Sequence, residues 1–215
     1  MYEFILFDLD GTLLDTLDDL TSSVNYALRA FGKKERSREE VRAFVGNGIR
    51  LLIERAIGEK NSAEFEGVFS AFKTHYGEHC AVQTKPYDGV MQMLAALKAQ
   101  GKRLAILSNK ADFATKQLCT QYFGDLIELS IGERESEGIR KKPAPDAVFS
   151  VMEAWGATKQ NTVYVGDSEV DIQTAQNAGI DCALVTWGFR DEAFLKENGG
   201  KVFADTPEKL LQLLS

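Results

Sequence analysis

The sequence has few of the features that mark proteins outside the cytoplasm. Its 215 residues include three cysteines, Cys80, Cys119 and Cys182, which are far apart and form no CxxC pair. An odd number of widely spaced cysteines is typical of free thiols in a reducing compartment. No run approaches the roughly 18 apolar residues of a membrane span, and the first residues are too polar for a signal peptide. We therefore expect a cytoplasmic protein.

Basic residues are also scarce. The chain has 25 Lys and Arg against 32 Asp and Glu, a formal net charge of -7. Nucleic acids and acidic membranes select a basic face, so we expect neither as a partner. The acidity does not exclude a small phosphorylated metabolite, provided that the site itself holds a cation. We expect a monomer or homodimer.

The apolar pattern divides the chain into two kinds of segment. The continuous run Phe4–Phe7 is typical of a strand buried on both faces of a parallel sheet. From about Thr16 to Gln83 the pattern is helical and contains no strand candidate; it includes a capping box at Ser37–Glu40 and a break at Gly46-Asn47-Gly48. After the turn Pro86–Gly89, short apolar strands alternate with amphipathic helices; the strands are expected at 104–107, 126–130, 162–165 and 182–185.

This alternation predicts an α/β fold, a doubly wound, Rossmann-like parallel sheet. The helical segment interrupts it after the first strand. We expect a catalytic core of residues 1–15 and 84–215, with residues 16–83 forming an inserted all-helical cap.

Polar side chains follow several of these strands, at the edge where such sheets bind ligands. They are Asp8, Asp10 and Thr12, then Ser108, Asn109 and Lys110, then the segment Gly166–Asp171, with Arg140-Lys141-Lys142-Pro143 shortly before a helix. Converging carboxylates repel one another, and a hard divalent cation such as magnesium relieves that repulsion. The cation admits a phosphoryl group, whose oxygens hydroxyls and a lysine can hold. A carboxylate can then attack phosphorus and form an aspartyl phosphate.

Four segments of the chain resemble the motifs of one family. Asp8-Leu9-Asp10-Gly11-Thr12 resembles the DxDGT signature of the haloacid dehalogenase superfamily. Ser108, Lys142 and the segment Gly166–Asp171 resemble its second, third and fourth motifs, in the same order. Ser108-Asn109-Lys110 and Gly46-Asn47-Gly48 are most similar to the phosphoglycolate phosphatase-like branch, which carries a helical cap after the first motif.

The resemblance implies a role for each matching residue. Asp8 would be the nucleophile and a magnesium ligand. Asp10 would protonate the leaving oxygen and later activate water, while its main-chain carbonyl binds the metal. Thr12 and Ser108 would hold phosphoryl oxygens, and Asn109 is a candidate substrate contact. Lys142 would neutralise the nucleophile and the phosphate. Asp167 and Asp171 would complete the magnesium site.

The expected function is hydrolysis of a small phosphate monoester by a magnesium-dependent phosphatase, with phosphoglycolate as the leading candidate substrate. A sugar-phosphate mutase, a pyrophosphatase and a nucleotide phosphatase remain alternatives within the superfamily. A non-catalytic binding scaffold is the alternative outside enzymology. Asp10 argues against a haloacid dehalogenase, which needs no acid at that position.

Several side chains have a second interpretation. Asp171 could simply favour the start of a helix, and Ser108 could be a helix N-cap. Lys141 competes with Lys142, although only Lys142 directly precedes the proline. Arg50, His75 and His79 are interpreted first as exposed side chains, with substrate binding by Arg50 and metal binding by the histidines as the alternatives. Lys110 and Asn109 could contact substrate or lie in a solvated loop.

Overall fold

The computed structural model describes residues 2–59 and 63–215, which fall into two compact units. Met1–Leu14 and Pro86–Ser215 form one, and Asp15–Lys85 forms the other. We call them the sheet unit and the helical unit. The chain passes between them in two short strands, β2 (Leu14–Asp15) and β3 (Lys85–Pro86).

The sheet unit contains a six-stranded sheet in which every pairing is parallel. The strands are β1 (Phe4–Phe7), β4 (Arg103–Ala111), β5 (Leu129–Glu133), β6 (Thr162–Gly166), β7 (Asp181–Val185) and β8 (Phe203–Ala204), in the order β5-β4-β1-β6-β7-β8. Its helices are α5 (Val90–Ala99), α6 (Asp112–Tyr122), α7 (Asp146–Trp155), α8 (Glu169–Ala178), α9 (Glu192–Glu197) and α10 (Pro207–Leu214). The predicted doubly wound α/β fold is confirmed.

Strand β1 lies at the centre of this sheet, and its sequence explains why. All four of its residues are buried, as expected where a strand is covered on both faces. Phe7 pairs with Ile106 of β4 on one side and with Val165 of β6 on the other. From β1 the sheet is extended first through β4 and β5 and then through β6, β7 and β8. The ends of the three central strands therefore form the crevice where such sheets bind ligands.

The fifth strand lies three residues later than the sequence pattern predicts. Residues Gly124–Leu126 form a short 3-10 helix instead, and β5 covers Leu129–Glu133. The ladder with β4 begins as Glu128 N donates to Leu104 O at 2.9 Å and Leu129 pairs with Ala105. The apolar run alone did not show where this pairing starts.

The helical unit is built from α1 (Leu17–Ala30), α2 (Arg38–Phe44), α3 (Ile49–Ile57) and α4 (Phe65–His79). The helix α1 packs against α4. Its buried face follows a helical period, with Leu20, Val24 and Leu28 among the fully covered residues. The facing positions of α4 are Val68, Phe72 and Tyr76, also buried.

Hydrogen bonds within each unit hold the two sides of the junction together. In the sheet unit, Tyr87 N donates to Leu13 O at 3.2 Å. In the helical unit, the buried carboxylate of Asp19 accepts hydrogen bonds from the main-chain N–H groups of residues 82–84, at 2.9 to 3.0 Å. The part of the chain that the structure describes has no helix with both the length and the apolar character needed to cross a membrane.

The local signals predicted inside the helical unit are confirmed. Ser37 Oγ accepts from Glu40 N at 3.2 Å, while Glu40 Oε2 accepts from Ser37 N at 2.8 Å, which completes the capping box of α2. The break at Gly46-Asn47-Gly48 separates α2 from α3. Gly48 has φ +90°, a conformation that residues with a Cβ rarely adopt.

Replacing Ser37 with Ala should destabilise the helical unit, because α2 would lose the oxygen that caps it. We expect a loss of about 1 kcal/mol in the free energy of unfolding, measured by denaturant titration. Ser70→Ala, at an exposed interior position of α4, is the matched control and should change stability little. Equal effects of the two substitutions would contradict the capping argument.

Candidate active site

Three buried carboxylates from the ends of β1 and β6 lie together in the sheet unit. Asp8, Asp167 and Asp171 each offer an oxygen within 4.8 Å of the others. No second group of three or more metal-type side chains occurs within the described ranges. Asp8 N donates to Val165 O at 2.8 Å, which places the carboxyl end of β1 directly beside β6. The structure thus brings together the two segments expected to share a cation.

Asp167 is positioned by groups from two other segments. Its Oδ2 accepts from Phe189 N at 2.6 Å, and its Oδ1 accepts from Thr12 Oγ1 at 3.4 Å. Gly11 adopts φ +83° beside it, and a Cβ at Gly11 would clash with Asp167 Oδ2. The glycine of the first motif is therefore required both by its backbone conformation and by this close approach.

The ammonium of Lys142 is surrounded by three oxygens. Its Nζ lies 2.9 Å from Asp8 Oδ1, 2.8 Å from Asp171 Oδ1 and 3.1 Å from Tyr164 Oη. The contact with Asp8 is an ion pair without hydrogen-bond geometry, since Asp8 Oδ1 has no hydrogen-bond partner. Tyr164 donates its own hydroxyl proton to Leu107 O at 2.9 Å, which leaves its oxygen to accept from Lys142.

The main chain of Lys142 is fixed as firmly as its side chain. Asn109 Nδ2 donates to Lys142 O at 3.0 Å, and Lys142 N donates to Asn109 Oδ1 at 2.9 Å. The neighbouring Lys141 instead pairs with Glu135 at 3.1 Å and is partly exposed. Of the two lysines, only Lys142 reaches the carboxylates. The substrate contact expected of Asn109 stays a prediction, and its amide has a structural task.

Asp171 stabilises the start of a helix, one of the two interpretations of its sequence position, and also contacts Lys142. Its Oδ2 accepts from Asp167 N, Ser168 N and Ser168 Oγ at 3.2, 3.1 and 2.6 Å, so it caps the first turn of α8. Its other oxygen binds Lys142. A Cβ at Gly166 would clash with this carboxylate, which accounts for the glycine before Asp167. The role of Asp171 as a metal ligand stays a prediction.

The remaining predicted side chains lie at the same edge of the sheet. Asp10 Oδ1 is 2.9 Å from Lys110 Nζ, and its carboxylate is not part of the group of three. Ser108 Oγ accepts from Lys110 N at 3.3 Å. Ser108 is not a helix N-cap, because α6 begins at Asp112 with Ala111 in the cap position. Thr12, in the loop after β1, and Ser108, within β4, are both buried.

Burial governs the electrostatics of this cluster. It raises the pKa of Asp8, an effect that Lys142 opposes and that Asp171 and Asp10 reinforce. Burial also raises the pKa of Asp167 well above its ordinary range, and Asp171 and Asp8 add to this. For Lys142, burial lowers the pKa, but Asp171 and Asp8 outweigh it and the pKa rises well above the ordinary range.

The donor set fits a hard divalent cation. Three carboxylates face one ammonium, so the fully ionised cluster keeps an excess of negative charge. The raised pKa values show that Asp8 and Asp167 are costly to ionise without a counter-ion. Within the described ranges, the buried Asp8 Oδ1 has the Lys142 ammonium as an ion-pair partner and accepts no hydrogen bond. Carboxylate oxygens are the ligands that magnesium and calcium prefer.

Three candidates of the helical unit have local partners. Arg50 pairs with Glu66 at 3.0 Å and lies over the ring of Phe65. His75 and His79 stack on each other with ring centroids 4.1 Å apart, and neither belongs to a group of metal-type ligands. These contacts fit the interpretation of the two histidines as residues of a helix face.

Sequence reasoning missed two contributions to the site. One is Tyr164, which the sequence analysis treated only as part of a buried apolar strand. The other is the segment after β7, where Phe189 N binds Asp167 and Trp187 Nε1 donates to Thr12 O at 3.0 Å. This segment follows a predicted strand, as the other site segments do. Its position at a strand end could therefore have identified it as part of the site.

Comparison with known proteins identifies the family of this chain. The model of the haloacid dehalogenase-like hydrolase family matches residues 5–185. Phosphoglycolate phosphatase from Aquifex aeolicus is 35% identical over 190 residues, covering 86% of this chain and 85% of that protein. Phosphoglycolate phosphatase from Colwellia psychrerythraea is 33% identical over 217 residues, covering 97% and 95%. The crystal structure of a proposed phosphoglycolate phosphatase from Lactobacillus delbrueckii subsp. bulgaricus has 35% identity and a TM-score of 0.93, covering 99% and 98%.

The chain therefore belongs to the haloacid dehalogenase-like hydrolase family. Within it, the chain falls in the phosphoglycolate phosphatase-like branch and is a phosphatase, a phosphoric monoester hydrolase. The predicted family and enzyme class are confirmed, and the non-catalytic scaffold is set aside.

Replacing Asp167 with Asn should stabilise the metal-free protein at neutral and alkaline pH. The raised pKa means that the folded chain binds the proton of Asp167 more tightly than the unfolded chain does. The free energy of unfolding is therefore highest below the ordinary carboxyl pKa of 3.8 and falls as pH rises through the raised value. The amide removes the charge and keeps an oxygen for Phe189 N, so the melting temperature in EDTA should rise by about 2–4 °C for each kcal/mol relieved.

Thermal unfolding of the D167N and wild-type proteins at pH 8 and pH 5 measures this effect. The gain should shrink at pH 5, where the wild-type carboxyl is more fully protonated. Asp125→Asn, an exposed position outside the cluster, is the control and should shift neither curve. A D167N variant that is less stable than the wild type at pH 8 would contradict the electrostatic argument.

Proposed function

We propose that this phosphatase is magnesium-dependent and hydrolyses a small phosphate monoester through an aspartyl phosphate on Asp8, with phosphoglycolate as the leading candidate substrate. The observation that carries the proposal is the buried cluster in which Asp8 lies beside Asp167, Asp171 and Lys142. An isolated buried carboxylate would be a poor nucleophile, because burial favours its protonated form. Lys142 and a bound cation both favour the ionised form.

Asp8 and Asp167, with the main-chain carbonyl of Asp10 and with Asp171, would hold the magnesium ion. When bound, the ion neutralises the carboxylates and allows a phosphate ester to approach them. Lys142 neutralises Asp8 and the incoming phosphoryl group. Thr12 and Ser108 hold phosphoryl oxygens through their hydroxyls.

The reaction has two steps that use the same residues. In the first, an oxygen of Asp8 attacks phosphorus, the bond from phosphorus to the ester oxygen breaks, and Asp10 gives its proton to that oxygen. The products are the free alcohol and the aspartyl phosphate. In the second, water attacks phosphorus, the bond to Asp8 breaks, and Asp10 takes a proton from the water. Inorganic phosphate leaves, and Asp8 and Asp10 return to their starting states.

The helical unit serves as the cap in this proposal, with residues 16–83 as the cap and residues 1–15 and 84–215 as the catalytic core. A cap that closes during turnover excludes bulk water and limits substrates to small molecules. The candidate substrate contacts are Arg50, Lys110, Asn109 and the Gly46–Gly48 turn.

Phosphoglycolate is the favoured substrate because relatives of at least 33% identity are named phosphoglycolate phosphatase. The free cysteines support a cytoplasmic location.

The test is an assay of the purified chain against a panel of phosphorylated metabolites. We expect release of inorganic phosphate, loss of turnover in EDTA and recovery with magnesium.

Asp8→Asn should reduce kcat by roughly 10³-fold or more, because no nucleophile replaces the carboxylate. Asp125→Asn should not. A D8N variant that is folded and keeps substantial activity would refute the nucleophile assignment. Interconversion of sugar phosphates without phosphate release would indicate a mutase, and turnover of inorganic pyrophosphate alone a pyrophosphatase.

Replacing Tyr164 with Phe should lower kcat while leaving KM nearly unchanged. The ring keeps its packing, but Lys142 loses the hydroxyl that helps to hold its ammonium between Asp8 and Asp171. Hydrogen bonds to charged groups contribute about 1.5–3 kcal/mol, so a loss of about tenfold or more is expected. Tyr2→Phe removes a hydroxyl that donates to Asp181 at 2.8 Å outside the site and should leave kcat unchanged. Equal kcat values for the two variants would exclude a role of Tyr164 in positioning Lys142.

A further inference from the structure

Lys110 is a buried lysine that takes part in neither of the two proposed reaction steps and is so far only a candidate substrate contact. Its side chain is only 1% exposed, and its Nζ lies 2.9 Å from Asp10 Oδ1, on a side chain that is 13% exposed. Removing an ammonium from water is costly unless a partner compensates for it. The compensating group here is the residue assigned to proton transfer.

The main chain around Lys110 is held in place from several directions. The ladder between β4 and β5 shifts its register between Leu107 and Ala111, so Lys110 lies in an irregular stretch of the strand. Its N–H donates to Ser108 Oγ at 3.3 Å, and its carbonyl accepts from Thr115 Oγ1 at 3.4 Å. Gly132 of β5 packs against the same carbonyl, where a Cβ would lie 2.7 Å from the oxygen. The main chain that carries the lysine side chain is therefore held against β5 and α6.

We infer that Lys110 is a positioning residue for Asp10, which rests on the function proposed above. By binding Oδ1, the ammonium restrains the carboxyl group and leaves Oδ2 as the oxygen that exchanges protons with the ester oxygen and with water. A charge-assisted hydrogen bond is both short and directional, so it limits rotation of the short Asp10 side chain. Correct placement of a proton donor contributes to rate only where the bound geometry is maintained.

A direct role in binding an anionic leaving group is the competing interpretation. It would suit a substrate such as phosphoglycolate, which carries a carboxylate beside its phosphate. The geometry favours Asp10 as the partner, because the ammonium is almost fully buried and already lies at ion-pair distance from it. The two roles predict different patterns across substrates.

The test compares leaving groups that differ in their need for a proton. Alkyl phosphates without a carboxylate, such as glycerol phosphate, expel a basic alkoxide and need a proton donor, whereas 4-nitrophenyl phosphate expels a stable anion. The measured quantity is kcat/KM, which reports on steps up to the first irreversible one, the transfer to Asp8. Lys110→Met should lower kcat/KM about 10- to 100-fold for the alkyl phosphate and no more than about threefold for 4-nitrophenyl phosphate. Asp10→Asn should show the same dependence on leaving group.

A double variant and a surface control complete the experiment. If Lys110 acts through Asp10, adding K110M to D10N should cause little further loss with the alkyl phosphate. Lys110→Arg should recover part of the activity, because it restores a cation. Lys141→Met, at the partly exposed neighbouring lysine, should change neither substrate. Melting temperatures confirm folding, and Lys110→Gln replaces K110M if the latter does not fold.

Three results would overturn the inference. They are an equal loss with both leaving groups, fully additive losses in the double variant, and a loss that is seen with phosphoglycolate, whose leaving group carries a carboxylate, but not with glycerol phosphate. The last would identify Lys110 as a substrate-binding residue. Failure of the proposed function is distinguishable, because the wild-type protein would then turn over none of these esters.

Discussion

The site depends on one interaction, the ion pairs that the Lys142 ammonium makes with Asp8 and Asp171. This single positive charge lies among three buried carboxylates and reduces the electrostatic repulsion between them. Groups from other parts of the chain hold it there. Asn109 binds its main chain, and Tyr164 supplies the third oxygen around Nζ. Because one ammonium cannot balance three carboxylates, the arrangement stays short of positive charge, and this deficit is the physical reason that the cluster fits a divalent cation.

Several residues of the site combine a structural task with a chemical one. Asp171 caps α8 through one oxygen and binds Lys142 through the other. Asp167 joins the cluster while accepting a hydrogen bond from the segment after β7. Sharing of this kind couples the geometry of the carboxylates to the ends of the strands that carry them. The carboxylates are therefore held by the strand ends and by the first turn of α8, which would suit the attack on phosphorus proposed above.

The sequence was sufficient for the features that leave a local pattern. The apolar run of β1, the alternation of strands and helices, and the polar residues at strand ends predicted both the fold and the residues that gather at the site. It was insufficient where a feature depends on pairing between distant segments. The start of β5 is set by its ladder with β4, and β8 has only two residues and no pattern of its own. Tyr164 and Phe189 contribute through a hydroxyl and a main-chain N–H whose partners lie far away in sequence.

The way in which the helical unit is inserted has a consequence for how such proteins diversify. The sheet unit joins Leu13 to Tyr87 by its own hydrogen bond, and the helical unit ties residues 82–84 to Asp19. The interruption is thus closed on each side, and the entropy of closing a loop grows only slowly with its length. The length of the insert therefore places little demand on the strands that carry the carboxylate cluster. With the helical unit in the cap role proposed above, the segment that selects the alcohol portion of a substrate could vary in length independently of the residues proposed to act on the phosphate.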